Sequence, residues 1–301
     1  GGASDLLRYN RVEEFAVGAG TTLRLPRLLG EGARLRLIGG WSFGAERVWG
    51  RAETRLRLGE GDRLELAARW DELGDVGPIR GASGVVNTLA AVGGADYLDP
   101  WRERSARVAW THALGGLPLS LRPPTLTLEA GWARQASEPL RSADQGFPPV
   151  RPILDGDYAW GEAGLELGSP SVGTFARVSL RLAGGEGHRW VAPRLHAAWR
   201  SDDLPDRWTH AVSLDAGWVS GEAPAQSTFL LGGRETLPGH PYRDAGGDAF
   251  ALVRARSGRA LWSPWISGHL LAAVGWVEDT GDPTLPAGWL PAPPEDALRF
   301  S

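Results

Sequence analysis

Apolar and polar residues alternate along about twelve segments of roughly ten residues, and this alternation constrains the fold more than any other feature of the sequence. In the fourth segment, for example, Leu64, Leu66, Ala68 and Trp70 share one face, and Arg63, Glu65 and Arg69 share the other. A period of two indicates a β-strand with one apolar and one polar face. Roughly ten residues is also the length that a tilted strand needs to cross a bilayer. The pattern therefore predicts an all-β chain, either a soluble sandwich or a membrane barrel.

The apolar face of these segments carries no Asp, Glu or Arg. Lipid would exclude such residues, because an Arg that faces the bilayer midplane costs about 2–4 kcal/mol. A dry soluble core would exclude them equally, so this strictness agrees with both architectures.

Tryptophan positions and loop lengths separate the two architectures. If the segments run alternately up and down, all the even-numbered ones except the eighth end at one rim in an apolar-face tryptophan: Trp41, Trp70, Trp132, Trp218 and Trp276. A ring of outward indoles is typical of the aromatic girdle at a membrane interface. The long connections 71–101, 133–157, 219–247 and 277–297 leave from the same rim, which we call the tryptophan rim. Long outer loops are the rule for such barrels, so the sequence predicts an antiparallel transmembrane β-barrel of the bacterial outer membrane.

The sequence offers no signal for catalysis, metal binding or nucleic-acid binding. Cysteine is absent, and the 6 histidines have no zinc-ligand spacing. No Gly-x-Ser-x-Gly or phosphate-loop motif occurs, and a net charge of −4 provides no basic surface for nucleic acid. We therefore expect no enzyme activity, no catalytic or metal-binding residue and no cofactor. Methionine is absent even at position 1, and we expect residues 1–301 to be part of a longer barrel protein.

One connection, between the tenth and eleventh segments, carries a dense local motif. Its notable residues are Gly232, Gly233, Arg234, Leu237, Pro238, Gly239, His240, Pro241, Tyr242, Arg243, Gly247 and Asp248. Glycine and proline are the strongest turn signals, and Gly239 between Pro238 and His240 predicts a sharp turn at the tip. The residues by themselves indicate a compact loop and no particular chemistry.

This loop resembles the sixth extracellular loop of the bacterial surface antigen barrel. Outer-membrane assembly factors of the BamA and TamA type share that barrel with two-partner secretion transporters. The pair Gly232-Gly233, then Leu237 and Gly239, and finally Gly247-Asp248 at the start of the next strand fit the family pattern. The segments 8–13 and 95–99 also resemble this family's barrels.

The tip of the loop departs from the family pattern. Pro238 stands where the family has an arginine, and His240 stands where it has an aromatic residue. Tyr242 and Arg243 would supply both groups a few residues later.

The resemblance implies a barrel of about 16 strands, of which about 12 would be present here. Such a truncated barrel would leave two unpaired edges, near residues 11–25 and 266–277. The resemblance also implies that the loop folds into the lumen and docks by its arginine on an acid of a following strand. Strand 266–277 offers no inward acid, so we expect Arg243 or Arg234 to pair with another carboxylate of the lumen. The candidates are Glu129, Glu162, Glu166 and Asp215.

The function that the resemblance implies is insertion or translocation of polypeptides at the outer membrane. The partners would be outer-membrane lipids, unfolded polypeptides and periplasmic accessory proteins. Two alternatives stay open at this point. The barrel could be a passive pore or a surface-exposed anchor, and the loop could lie on the surface with Arg243 in solvent.

Overall fold

The structure is a computed structural model. It describes residues 6–26, 32–77, 84–115, 122–141, 147, 150–169, 173–201, 207–233, 235–243, 245–262, 265–278 and, for the backbone alone, 298–300. None of the helices in these ranges is long and apolar enough to span a membrane.

The chain is all-β, as the sequence predicts, and one antiparallel sheet contains 15 strands. The elements in chain order are β1 (Leu7–Asn10), β2 (Glu14–Arg24), β3 (Arg34–Ser42), β4 (Arg47–Arg57), β5 (Asp62–Asp75), α1 (Gly84–Val92), β6 (Pro100–Ala113), β7 (Thr125–Ser137), β8 (Gly156–Gly168), β9 (Gly173–Gly185), β10 (His188–Arg200), β11 (Thr209–Trp218), β12 (Ser220–Gly221), β13 (Phe229–Leu231), β14 (Ala245–Gly247), β15 (Ala249–Trp262), β16 (Ile266–Glu278) and β17 (Leu298–Phe300). Each alternating segment corresponds to one long strand: β2 to β11, β15 and β16. These strands pair in chain order, and β13 and β14 form a separate hairpin.

The two faces of the sheet have the polarity of a membrane barrel. Apolar side chains of the outer face, such as Val178, Leu180 and Leu182 on β9, are exposed. On the inner face, charged side chains of neighbouring strands pair across the sheet. The guanidinium of Arg107 on β6, for instance, contacts Glu65 on β5 and Glu129 on β7. A soluble sandwich would bury its apolar face, so the exposed apolar face excludes that architecture.

The ends of the sheet differ in part from the expected unpaired edges near 11–25 and 266–277. Strand β1 covers the start of β2, and β17 covers part of β16 between Val274 and Trp276. Both covering strands are too short for alternation to reveal them in the sequence. Within the described residues, no pairing joins β1 to β17, so the sheet has two ends there.

Helix α1 lies against β1 at the tryptophan rim. The backbone N–H of Tyr9 donates to the hydroxyl of Thr88, at 3.4 Å, and the Tyr9 ring packs against Ala91. Beyond the end of the helix, Gly94 has a φ of +88°, which favours glycine, and the backbone N–H of Ala95 bonds the carbonyl of Ala90. The described part of the connection between β5 and β6, residues 84–99, therefore caps β1.

Candidate functional site

The connection between β11 and β15 folds against the inner face of the sheet in its described residues, 219–233, 235–243 and 245–248, and we call these the inner loop. Phe229 of the β13–β14 hairpin and Leu237 are almost fully buried. They pack with Phe250 and Leu252 of β15 in a cluster that also includes residues of β10 and β16. Burying one large apolar side chain contributes about 1.5–3 kcal/mol, which offsets part of the entropy lost when a loop is ordered.

The packing of this cluster on β15 explains an apolar run in the sequence that does not follow the alternation of apolar and polar residues. Residues 249–253 are apolar at every position. A continuous apolar run in a strand indicates that both faces are covered by something other than water. Here the outer side chain of Val253 is exposed, and the inner side chains of Phe250 and Leu252 lie under the loop.

The loop tip is built on glycines. Gly233 has a φ of +87°, and a β-carbon there would lie 2.7 Å from the ring of Tyr242. The backbone N–H of Gly233 bonds the carbonyl of His240, and the N–H of His240 bonds the carbonyl of Leu237. Gly239 at the tip has a φ of +89° and is exposed. The sharp turn predicted between Pro238 and His240 therefore reaches solvent, with Leu237 anchored before it and Arg243 after it.

Gly247 and Asp248 fasten the far end of the loop to the sheet. A β-carbon at Gly247 would overlap the carbonyl oxygen of Glu278, so only glycine fits this close approach. The backbone N–H of Asp248 donates to that same carbonyl, and the N–H of Val219 donates to the carbonyl of Asp248. The Gly-Asp pair thus closes the loop where β15 begins.

Arg243 crosses the lumen to the opposite wall. Its Nη1 donates to Oδ2 of Asp99 at 2.7 Å, and its Nη2 donates to Oδ2 of Asp75 at 2.7 Å and to the carbonyl of Val76 at 2.8 Å. The residue is only 3% exposed, and its guanidinium lies 5.0 Å from the centre of the Tyr242 ring. Asp75 ends β5 and Asp99 precedes β6, so the sheet curves far enough for a loop after β11 to reach β5 and β6.

Two further arginines converge on Asp99. The Nη2 of Arg11 lies 2.7 Å from its Oδ1, and the Nε of Arg151 lies 3.6 Å from its Oδ2. Asp96 holds the same region together, because its Oδ2 accepts the backbone N–H of Arg11 and its Oδ1 accepts the side-chain amide of Asn87 in α1. We call the set the rim cluster: Arg11, Asp75, Asp96, Asp99, Arg151 and Arg243.

The three segments that carry the sequence resemblance meet at this cluster. Segment 8–13 contributes Arg11, segment 95–99 contributes Asp96 and Asp99, and the inner loop contributes Arg243. The ring of Tyr97 lies 5.1 Å from that of Tyr242, which adds an aromatic contact between segment 95–99 and the inner loop.

The turn between β1 and β2 is also held by ionic contacts. Glu13 is fully buried, and both of its carboxylate oxygens accept hydrogen bonds at 2.6 Å from the guanidinium of Arg8. Asn10 donates its side-chain amide to the same carboxylate and accepts the backbone N–H groups of Val12 and Glu13. This network fixes the turn that presents Arg11 to Asp99.

The pKa values of the two loop arginines of the rim cluster are shifted in opposite directions. Desolvation lowers the pKa of Arg151 below its ordinary value, although Asp99 opposes that shift. Desolvation also acts to lower the pKa of Arg243, but the carboxylates of Asp75 and Asp99 outweigh it and raise that pKa. Burial raises the pKa of the Tyr242 phenol, which therefore stays neutral. Arg243 is thus held as a permanent cation between carboxylates.

The expected partners of Arg243 were wrong. Glu129 contacts Arg107, Glu162 contacts Arg181, Glu166 contacts Arg177, and Asp215 contacts Arg254 and His196. Those carboxylates are already engaged with neighbours on adjacent strands, whereas Asp75 and Asp99 lie at the tryptophan rim, where the loop enters. Arg234, the other candidate cation, lies outside the described residues.

The predicted girdle tryptophans lie on the outer face of the sheet. Trp41, Trp70, Trp132 and Trp218 are exposed, and Trp276, which pairs with β17, is half-buried. Their role at a membrane interface stays a prediction. The alternation places Trp49 on the opposite, inner face, and there it is buried with the guanidinium of Arg8 4.0 Å from its ring centre.

No family model matches the sequence, and no curated protein matches it. The structure is similar to solved structures of outer-membrane proteins. CdiB from Escherichia coli has a TM-score of 0.57 at 15% identity over 93% of this chain and 52% of that chain. CdiB from Acinetobacter baumannii has a TM-score of 0.56 at 11% identity over 88% of this chain and 47% of that one.

BamA from Haemophilus ducreyi, in a structure lacking POTRA domains 1–3, has a TM-score of 0.52 at 14% identity. The similarity covers 91% of this chain and 57% of that one. The chain thus spans about half the length of the solved structures that it matches. Together with the strand order and the exposed apolar face, these similarities show that the chain has the antiparallel barrel fold found in CdiB and BamA.

Proposed function

We propose that this chain is the barrel of a bacterial outer-membrane protein that inserts polypeptides into the membrane or translocates them across it. The observation that carries the proposal is the inner loop, fastened across the lumen by Arg243 to Asp75 and Asp99. A loop inside a barrel narrows or blocks its channel. A barrel that must open for a polypeptide needs such an element to be fastened by contacts that can be released, and the ionic contacts of Arg243 are of that kind.

Two further observations support this function. The sequence segments that resemble assembly factors and two-partner secretion transporters converge on the rim cluster, and the fold is that of CdiB and BamA. The exposed apolar face fits outer-membrane lipid as the surrounding medium. Unfolded polypeptides and periplasmic accessory proteins are the partners that this function requires, and it requires no enzyme activity.

The test compares three strains of the native host by quantitative mass spectrometry of the outer membrane and of the culture medium. The strains carry a gene deletion, Arg243→Ala in the full-length protein, and Arg134→Ala as a matched control. Arg134 forms an exposed pair with Asp157 on the outer face, two residues beyond Trp132 and near the same rim. We expect the deletion to deplete particular outer-membrane or secreted proteins.

Arg243→Ala should reproduce that depletion while its barrel still reaches the membrane and migrates as a heat-modifiable band. Arg134→Ala should match the wild type. If the deletion leaves both sets of proteins unchanged and alters only the uptake of small solutes, the barrel is a passive pore. If it alters neither, a surface-exposed anchor is the better description.

A further inference from the structure

Three arginines form a patch on the inner face of β9 and β10, apart from the rim cluster. Arg177 and Arg181 flank Ser179 on the inner face of β9, and Arg194 of β10 is the register partner of Ser179. Side chains of register partners and of their diagonal neighbours lie within reach of one another on one face of a sheet. We call Arg177, Arg181 and Arg194 the wall triad.

The carboxylates beside the wall triad are fewer than its cations. Glu162 contacts Arg181 at 2.7 Å through Oε2 and Arg177 at 3.5 Å through Oε1, so both of its oxygens are engaged. Glu166 contacts Arg177 at 3.0 Å. Arg194 forms no ion pair with any carboxylate in the part of the chain that the structure describes.

Arg194 is also poor in hydrogen bonds. Its Nε is buried without a hydrogen-bond partner, and its guanidinium lies 5.7 Å from the centre of the Phe229 ring, on the inner loop. Arg194 is partly buried, so part of its solvation is lost without a carboxylate to replace it. Such a cation binds an incoming anion more strongly than a fully hydrated one, because part of the desolvation cost has already been met in the free protein.

Space for such an anion adjoins the triad. All three arginines line a cavity of about 440 Å³ between the wall and the inner loop. Trp160, Trp190 and Gln226 line the same cavity. A cavity of this size is much larger than an inorganic anion and has the dimensions of a site for a small organic molecule or a short peptide segment. Guanidinium groups match the geometry of a carboxylate, and indole faces suit the rest of a peptide.

We propose that the wall triad is an oxyanion-binding site that takes the carboxylate of an acidic side chain on the polypeptide handled by the barrel. This inference rests on the proposed function and adds a feature of its substrate, an acidic segment that occupies the lumen beneath the inner loop. Arg194 is the principal ligand, because Arg177 and Arg181 already share Glu162.

The experiment is a calorimetric titration of the full-length protein in lipid nanodiscs at low salt. The probes are a polyglutamate peptide, a polylysine peptide and inorganic phosphate. We expect polyglutamate to bind and polylysine not to bind, and Arg194→Gln should weaken the binding of polyglutamate roughly tenfold. Arg194→Lys, which keeps the charge, should restore part of the affinity.

A second variant occupies the site with a carboxylate of the protein itself. Ser179→Asp would place a carboxylate at the register partner of Arg194, between Arg177 and Arg181, and should abolish binding of polyglutamate. The matched control is Arg55→Gln, which removes an inner-face arginine that pairs with Glu65. The control should bind polyglutamate as the wild type does.

The outcomes separate this inference from the proposed function. Binding of phosphate without polyglutamate would overturn the proposal, because the site would then serve free anions. Absence of anion binding, or binding that Arg194→Gln leaves unchanged, would overturn it as well. Arg194-dependent binding of polyglutamate would uphold the site even if the strain comparison had refuted transport of polypeptides.

Discussion

The rim cluster and the wall triad each bring three guanidinium groups together inside the barrel, but they differ in the acids beside them. In the rim cluster, Asp75 and Asp99 accept ionic hydrogen bonds, and Asp96 fixes the backbone of Arg11. Beside the wall triad stand Glu162 and Glu166, which leave Arg194 without a carboxylate. The comparison teaches that arginine inside this barrel has two uses. Where cations and acids are balanced, it fastens the loop, and where cations exceed acids, it leaves a site for an anion.

The two sets of contacts also differ in the distance that they span along the chain. Arg243 lies 168 residues from Asp75 and 144 residues from Asp99, so the rim cluster joins segments that only the folded barrel brings together. Arg181 lies 19 residues from Glu162, on the neighbouring strand. Contacts of the first kind hold a loop in place, and contacts of the second kind follow from strand register.

Among the substitutions that test this comparison, Asp99→Asn is expected to lower the free energy of unfolding most. The substitution keeps the shape of the side chain and removes the carboxylate that Arg11, Arg151 and Arg243 share. Breaking a buried ionic contact in this way destabilises by about 3–5 kcal/mol. We expect the free energy of unfolding in urea to fall by that amount and the inner loop to become sensitive to protease. Unchanged protease resistance would show that the loop is held by its apolar cluster alone.

A smaller loss of stability is expected from Glu162→Gln. It takes one carboxylate from Arg177 and Arg181, but both guanidinium groups are partly exposed and water screens them. We expect the free energy of unfolding to fall by about 1 kcal/mol, measured by the same urea titration. A loss as large as that of Asp99→Asn would mean that the wall triad is as structural as the rim cluster.

Arg194→Gln should leave the free energy of unfolding within about 0.5 kcal/mol of the wild type, or raise it, because no ion pair is lost. The difference from Asp99→Asn, in unfolding experiments run side by side, is the sharpest contrast between the two regions. A clear loss of stability in Arg194→Gln would break the comparison, since it would assign Arg194 a structural partner.

The smallest effect is expected from Arg134→Ala. Arg134 pairs with Asp157 at 2.7 Å, but both side chains are exposed, and pairs of this kind seldom contribute measurably. We expect no change in the urea midpoint or in the resistance of the loop to protease. A marked loss of either would show that exposed ion pairs near this rim also hold the loop.

The twelve long strands and their faces were predictable from the sequence because they depend on local alternation. That Arg181 and Glu162 share a face on neighbouring strands, for example, follows once each strand's inner face is assigned, and their exact register is set by the turn between β8 and β9. The short β1 and β17 were not predictable, since a few residues carry no detectable period. The continuous apolar run indicates that Phe250 and Leu252 are covered on the inner face, but it does not identify the element that covers them.

The rim cluster was only half predictable. Arg243 was selected by a resemblance, and the acids that it contacts depend on how far the sheet curves and where the loop crosses the lumen. No local pattern encodes a contact over 144 residues, and inner-face acids such as Glu129 fit the pattern equally well. The useful signal was segment 95–99, which already contained Asp96 and Asp99.

The central claim is that the inner loop lies across the lumen against segment 95–99. The chain has no cysteine, so a pair of cysteines can be introduced without background: Tyr97→Cys with Tyr242→Cys, whose rings lie 5.1 Å apart. The control pair is Tyr97→Cys with Leu261→Cys, because Leu261 is exposed near the end of β15 at the opposite rim. In intact cells treated with a short thiol cross-linker, we predict a cross-link in the first pair and none in the control. Absence of a cross-link in the first pair, with both thiols freely labelled by a membrane-impermeant maleimide, would contradict the account.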